Sequence, residues 1–473
     1  MAELPDECDP RPWIVGCGLL AVLALHAACD PRPPGGVWGA VGVLAFSTPV
    51  RWLLLVLAAL LALPPVSRCM VRVAAPLARR AAAALAGVPA WVWIALLVAV
   101  SWVLRSRALS GDGPATIEHL QRGELINYKE PLDRLATALV YRAGYAVTGW
   151  DAGTAIALVS VAAGALFWAG LVRLARSRPL AGAGGGVVWA LVGTTGATQL
   201  FFGHVENYSL LTAGTLWTLV LLLEAATDPR RPLWPAALAF GLTFATHLSV
   251  VWLAPALPVA WLARVRQASG GRWPGRAGWL AALPEAAAGA LVGCIPMALV
   301  ALGMVVSGIG LGGFSMSDFG GGDGRVFVPL FRIETPFERF TMFSPAHLAA
   351  FGNELLLVAP VGVILVLTLW LGRRRDGGRT DAGKWVLIAA ALGTMAYAFT
   401  FNPDMMVANP ILGVMNEWDL FAFEAVPITL LGVWWLRTAF DPGEGRDALV
   451  LSAAATSLVH TAGFLLLNAG VRL

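Results

Sequence analysis

Apolar stretches of about 20 residues, long enough to cross ~30 Å of hydrocarbon as a helix, recur along this 473-residue chain. Thirteen are read here, at 13–28, 42–63, 88–104, 152–172, 186–202, 209–225, 233–247, 249–263, 283–307, 348–371, 385–401, 420–436 and 448–468. Only 13% of residues are charged, against about 25% in soluble domains. The expected fold is therefore an all-α polytopic membrane protein. The weakest pair is 233–247 and 249–263, short halves with Pro255 and Pro258 in the second. The alternative there is one broken helix.

Lys and Arg are retained on the cytoplasmic side, so the connectors test the alternation. With the amino terminus inside, loops 64–87, 173–185, 226–232, 264–282, 372–384 and 437–447 face the cytoplasm. They hold most of the chain's 33 Lys and Arg, at least two each, while the outer turns 203–208 and 402–419 hold none. The outer loops 105–151 and 308–347 carry both signs of charge against that bias, which marks them as functional candidates. The net charge of +4 follows from this distribution and is no nucleic-acid signal. The expected location is the inner or plasma membrane, with membrane lipids as partners and no nucleic acid.

Five scattered cysteines without a CxxC argue against a disulfide framework or a thiolate metal site. Leu25-His-Ala-Ala-Cys29 faintly resembles a lipoprotein cleavage site, but the segment before it is acidic where a signal peptide is basic. The first span is read as an anchor. Residues 66–87, basic and Ala-rich, are expected to lie along anionic lipid. They separate an amino-terminal hairpin (1–87) from a core (88–473).

Under this topology the polar residues gather on the outer face. Asp112, Glu118 and His119 follow span 3; His204, Glu206, Asn207 and Tyr208 form one outer turn; His247 ends span 7. The loop 308–347 supplies Arg332, Arg339 and His347, and Glu417 and Asp419 begin span 12. Four of the six histidines fall on this face, and ionisable groups at membrane depth are functional candidates by default. Each residue also has a structural reading. Asp112 sits in Gly-Asp-Gly, a turn signal, and Glu206 stands where a carboxylate complements a helix amino terminus. His247 and the Glu417–Asp419 segment can cap helices, and Arg332 and Arg339 can snorkel to headgroups. Gly320–Gly324 lacks the Gly-Lys-Ser/Thr of a phosphate cradle. The joint placement favours function.

The layout resembles the GT-C superfamily of integral-membrane glycosyltransferases over roughly residues 88–473. The resemblance rests on Gly111-Asp112-Gly113 in the first large outer loop, followed by Lys129-Glu-Pro-Leu-Asp133 and an amphipathic segment through Tyr145. The turns Gly203-His-Val-Glu-Asn-Tyr-Ser209 and Glu417-Trp-Asp-Leu-Phe-Ala422 look like elements of bacterial members of this group. The resemblance implies transfer of a sugar from a polyprenyl-phosphate carrier to a glycan, lipid or protein acceptor on the extracytoplasmic face. Asp112 would be the general base. Arg332 or Arg339 would neutralise the leaving phosphate. Glu206, His247 and Asp419 would orient sugar or acceptor, with His119, His204, Asn207, Tyr208, His347 and Glu417 lining the substrate site. No second acid adjoins Asp112, so Glu118 and Glu206 stand as alternative bases. An inverting displacement on a lipid phosphate needs no divalent ion, so neither metal nor cofactor is expected. The rivals are a lipid-linked polysaccharide ligase or polymerase, leaning on loop 308–347, and a transporter. A transporter would show repeats and broken helices at the bilayer midplane.

Overall fold

The computed structural model describes residues 9–29, 36–85, 87–109, 111–177, 180, 185–311, 326–335, 338, 340–371, 381–401 and 418–473. Arg339 and Glu417 lie outside these, as does most of 308–325. The helices, in chain order, are α1 (Arg11–Ala27), α2 (Thr48–Ala62), α3 (Pro64–Leu85), α4 (Ala90–Val103), α5 (Gly113–Gln121) and α6 (Pro131–Thr148). Then follow α7 (Ala152–Arg176), α8 (Gly185–Val192), α9 (Ser209–Thr227), α10 (Trp234–Thr246), α11 (Ala256–Ala268) and α12 (Arg276–Val306). The last are α13 (Pro345–Val358), α14 (Pro360–Leu371), α15 (Ala382–Thr400), α16 (Trp418–Ala439) and α17 (Glu444–Asn468). Among the described residues the β-structure is one isolated antiparallel bridge, Phe327 with Phe401.

Seven helices are long and apolar enough to cross a membrane, or up to ten if each of three bent pairs is one span. The chain is thus a multi-pass helical membrane protein, with fewer straight spans than the thirteen expected. The stretch 186–202 accounts for part of the difference. There α8 stops after eight residues and a 3-10 turn, Gly196–Phe201, follows. Thr194 donates its hydroxyl back to the Ala190 carbonyl at 2.6 Å, a local bond that competes with the helix ladder. Gly196 leaves the helix to pack on α13: a Cβ there would lie 1.7 Å from the Leu357 carbonyl oxygen. Span 42–63 is likewise a 3-10 segment, Trp38–Ala45, bent by 118° from α2, and 348–371 is α13 bent by 105° from α14. The pair at 233–263 is two helices, because His247 is in extended conformation (φ −159°, ψ 133°) and ends α10. A 3-10 turn, Leu248–Leu253, leads from it into α11.

Helix starts follow local chemistry. Pro stands in the first turn of α2, α5, α6, α10 and α13, where its missing N–H costs nothing. Asp151 caps α7 by accepting the Thr154 N–H at 2.7 Å. The membrane-spanning window of α16 is 94% buried and that of α12 only 17%, so α16 lies in the centre and α12 at the lipid-facing edge. Around the centre run α14, α15, α8 and α9. The α10–α12 contact is close because Gly241 meets the Gly293 carbonyl, 2.1 Å from where a Cβ would stand. Small residues let membrane helices approach in this way.

A buried carboxylate–histidine site between four elements

The site is built where the turn after the Gly196–Phe201 segment meets α5, α6 and the start of α16. Glu130 stands at the N-cap position of α6, just before Pro131, and is 5% exposed. Its Oε2 accepts the Asn207 side-chain amide at 2.5 Å and the Asn127 amide at 3.3 Å. Its Oε1 lies 3.7 Å from His247 Nε2. His247 is oriented by its own cap: Nδ1 accepts the Ser249 N–H at 3.1 Å. In the neutral ring the remaining proton therefore sits on Nε2, facing Glu130. The Tyr208 ring packs 5.3 Å from the imidazole.

Burial pushes the Glu130 carboxyl up to about 7; Asp112 adds to this, while Arg134, Lys129 and the Asn207 hydrogen bond oppose it. Burial, then the charge of Glu130, also raise Asp133 well above the usual carboxylate range, against the pull of Arg134. Arg134 ties α6 to α5 by donating to the Thr116 carbonyl at 3.1 Å. Asp112 is the exposed N-cap position of α5. Gly113 beside it sits against the turn, where a Cβ would be 2.7 Å from the Val205 carbonyl oxygen. The exposed carboxylate thus stands at the rim, within electrostatic reach of the buried one.

A second group adjoins the first. His204 Nε2 is 2.7 Å from Asp419 Oδ2, and ligand atoms of His204, Glu206 and Asp419 all lie within 4.8 Å of one another. All three residues are buried. Trp418 packs 5.4 Å from the His204 ring, and the charge of Asp419 reaches His247. The two groups therefore form one continuous site.

Of the residues expected from sequence, the structure brings together Asp112, His204, Glu206, Asn207, Tyr208, His247 and Asp419. It leaves others apart. Glu118 is exposed and ion-paired with Arg122 one helical turn away; His119 is paired at the surface with Glu124 at 2.6 Å. Arg332 is exposed. His347 packs between Phe340 and Phe399, 5.0 Å from each ring. Lys129, Glu130 and Asp133 enter the sequence reading through the Lys129–Asp133 segment, without a site role, and Glu354 and Glu424 have no place in it. The signal for Glu130 was present: an acid followed by Pro at the head of an amphipathic helix. Glu354 and Glu424 lie within the expected spans 348–371 and 420–436, where a lone ionisable residue is itself a signal.

No protein-family model matches the chain, and no curated protein matches it. Among solved structures the chain is similar to a crystal structure of ArnT from Cupriavidus metallidurans bound to undecaprenyl phosphate. The identity is 12%, with 80% of this chain and 76% of that chain covered and a TM-score of 0.44. At that level the likeness assigns neither family nor ligand to this chain.

Proposed function

We propose that the protein is a membrane glycosyltransferase that moves a sugar from a polyprenyl-phosphate carrier to an acceptor hydroxyl on the extracytoplasmic face. The observation that carries this reading is the convergence of an exposed carboxylate, Asp112, with a buried Glu130–Asn207–His247 group. Transfer to a hydroxyl needs a base open to the incoming acceptor, polar groups that hold the sugar away from bulk water, and a cation near the phosphate. Asp112 at the rim suits the first role, accepting the acceptor's proton as its oxygen attacks the anomeric carbon and the lipid phosphate leaves. Asn207, His247 and Tyr208 suit the second, offering hydrogen bonds from a dry wall. For the third, Lys129 is better placed than Arg332, because its charge is felt at both Glu130 and His247. Arg339 keeps its proposed role from the sequence alone.

The donor also needs a berth for its lipid. An apolar groove of about 670 Å³ runs between α10, α11 and α12, lined by Phe240, Phe244, Trp261, Met297 and their neighbours. Phe244 stands one helical turn before His247, so a chain in this groove would bring its phosphate toward the site.

The test is transfer from a panel of radiolabelled polyprenyl-phosphate sugars in membranes containing wild type or Asp112→Asn. Wild type transfers from at least one donor, and the variant loses about 10²–10⁴-fold at unchanged protein abundance, the usual contribution of a positioned base. A variant that retains activity moves the base to Glu206 or Glu130. Absence of transfer from every donor by folded wild type rejects the reading in favour of a ligase or transporter.

A further inference from the structure

The sequence led to an expectation of metal independence, and the second half of the site argues otherwise. His204 and Glu206 come from one turn and Asp419 from the first residues of α16, more than 200 positions away. Their side chains offer one imidazole nitrogen and two carboxylates within 4.8 Å of one another. Nitrogen and oxygen ligands stand about 2.0–2.2 Å from a zinc-sized ion, so ligands on such an ion are ~3.4 Å apart. The observed spread closes by side-chain rotation of about an ångström.

A second observation comes from behind this triplet. Glu354 on α13 and Glu424 in α16 are 2% and 0% exposed, and no carboxyl oxygen of either has a hydrogen-bond partner among the described residues. Glu354 lies within electrostatic reach of both Glu424 and Asp419. Two further buried acids thus adjoin the triplet through Asp419. Ionised carboxylates away from water are costly unless paired, protonated or bound to a metal. We propose that His204, Glu206 and Asp419 bind a first-row divalent cation of the Mn²⁺-to-Zn²⁺ class, with the buried carboxyls of Glu354 and Glu424 as the neighbouring acids.

The donor set selects the class. Imidazole suits the transition ions and carboxylate the harder ones, so one nitrogen with two carboxylates favours that middle range over Ca²⁺. Binding through His204 Nε2 requires that nitrogen to give up its contact with Asp419 Oδ2, so that the imidazole and the carboxylate each turn a lone pair to the ion. Three protein ligands leave a coordination position open.

The experiment uses the full chain in lipid nanodiscs, stripped with EDTA and equilibrated separately with Mn²⁺ or Zn²⁺. Wild type takes up one ion per chain, and bound Mn²⁺ shows nitrogen hyperfine coupling in its electron paramagnetic resonance spectrum. His204→Gln and Asp419→Asn each weaken binding at least about tenfold, while Glu444→Gln, at an exposed ion pair with Arg72, leaves it unchanged. Wild type that binds no ion saturably overturns the proposal. So does a bound ion whose affinity survives both substitutions. Should the variants fold poorly, absence of nitrogen coupling in the wild-type spectrum overturns it equally.

Discussion

At the residue scale, Glu130 shows how a fold makes a carboxylate behave unlike its sequence. Its ordinary value is 4.5, and burial pushes it up to about 7. Between these values the folded chain holds a proton that the unfolded chain has released. The sign follows: this group's contribution to stability is present at acid pH and is lost as pH rises from about 4.5 through about 7. At 1.36 kcal/mol per unit the loss is about 3 kcal/mol at most. Glu130→Gln, which cannot ionise, should abolish that slope while keeping one acceptor for Asn207. Thermal unfolding of both proteins at pH 5 and pH 8 checks this: wild type should lose more than the variant on going to pH 8. Equal losses would mean that Glu130 does not titrate in that range. Glu118 is the contrasting case. It stands six residues from Asp112, yet its surface pairing with Arg122 is worth little.

At the scale of elements, the site depends on a short helix laid against a turn. α5 has nine residues, too few to be stable alone, and its position comes from contacts in its first turn. Arg134 holds it to α6 through Thr116, and Gly113 rests on the Val205 carbonyl. Gly113→Ala places a methyl 2.7 Å from that oxygen, so α5 must lift away from the 203–208 turn and carry Asp112 with it. Because α5 is peripheral, the expected result is a transfer rate reduced at least about tenfold with a small change in melting temperature. Parallel activity and unfolding measurements on the variant decide it. A large drop in stability with activity per folded molecule intact would show that α5 does not position the base.

This element was partly legible beforehand. The Gly-Asp-Gly-Pro run announces a turn followed by a helix, and the apolar residues through Tyr145 announce α6. The break at Gly193–Gly196 was not, because an apolar run with two Thr and two Gly has the composition of a continuous span. What the sequence does not announce is the close approach of Gly196 to the Leu357 carbonyl of α13, over 150 residues distant.

On the scale of the whole molecule, the amino-terminal segments do not stand apart. The 3-10 segment Trp38–Ala45, α2 and α3 all pack against α17, and α1 packs against α14 and α17. Gly42 and Gly463 face each other so closely that a Cβ on Gly463 would be 2.7 Å from the Gly42 backbone. His26 on α1 and His460 on α17 are hydrogen-bonded at 2.9 Å. Removing residues 1–87 would expose this seam, including Gly463 and Phe464. The truncated chain should therefore unfold at a markedly lower temperature in detergent than the full chain. A truncated chain that keeps its melting temperature would instead support 88–473 as an independent core.

The apolar runs by themselves determined that this chain is helical and crosses a membrane several times, since a backbone in hydrocarbon must bond to itself and a helix does so within one segment. They also put the polar residues in the connecting turns. Only the tertiary structure decided which of those residues meet. Glu130 and His247, or His204 and Asp419, are separated by more than a hundred residues, and their encounter depends on how bent and broken helices pack. Close backbone contacts accompany those bends, such as Gly196 on Leu357, and a single segment's hydropathy does not encode them. The same packing removes water from the carboxylates, and this shifts Glu130 into the neutral range.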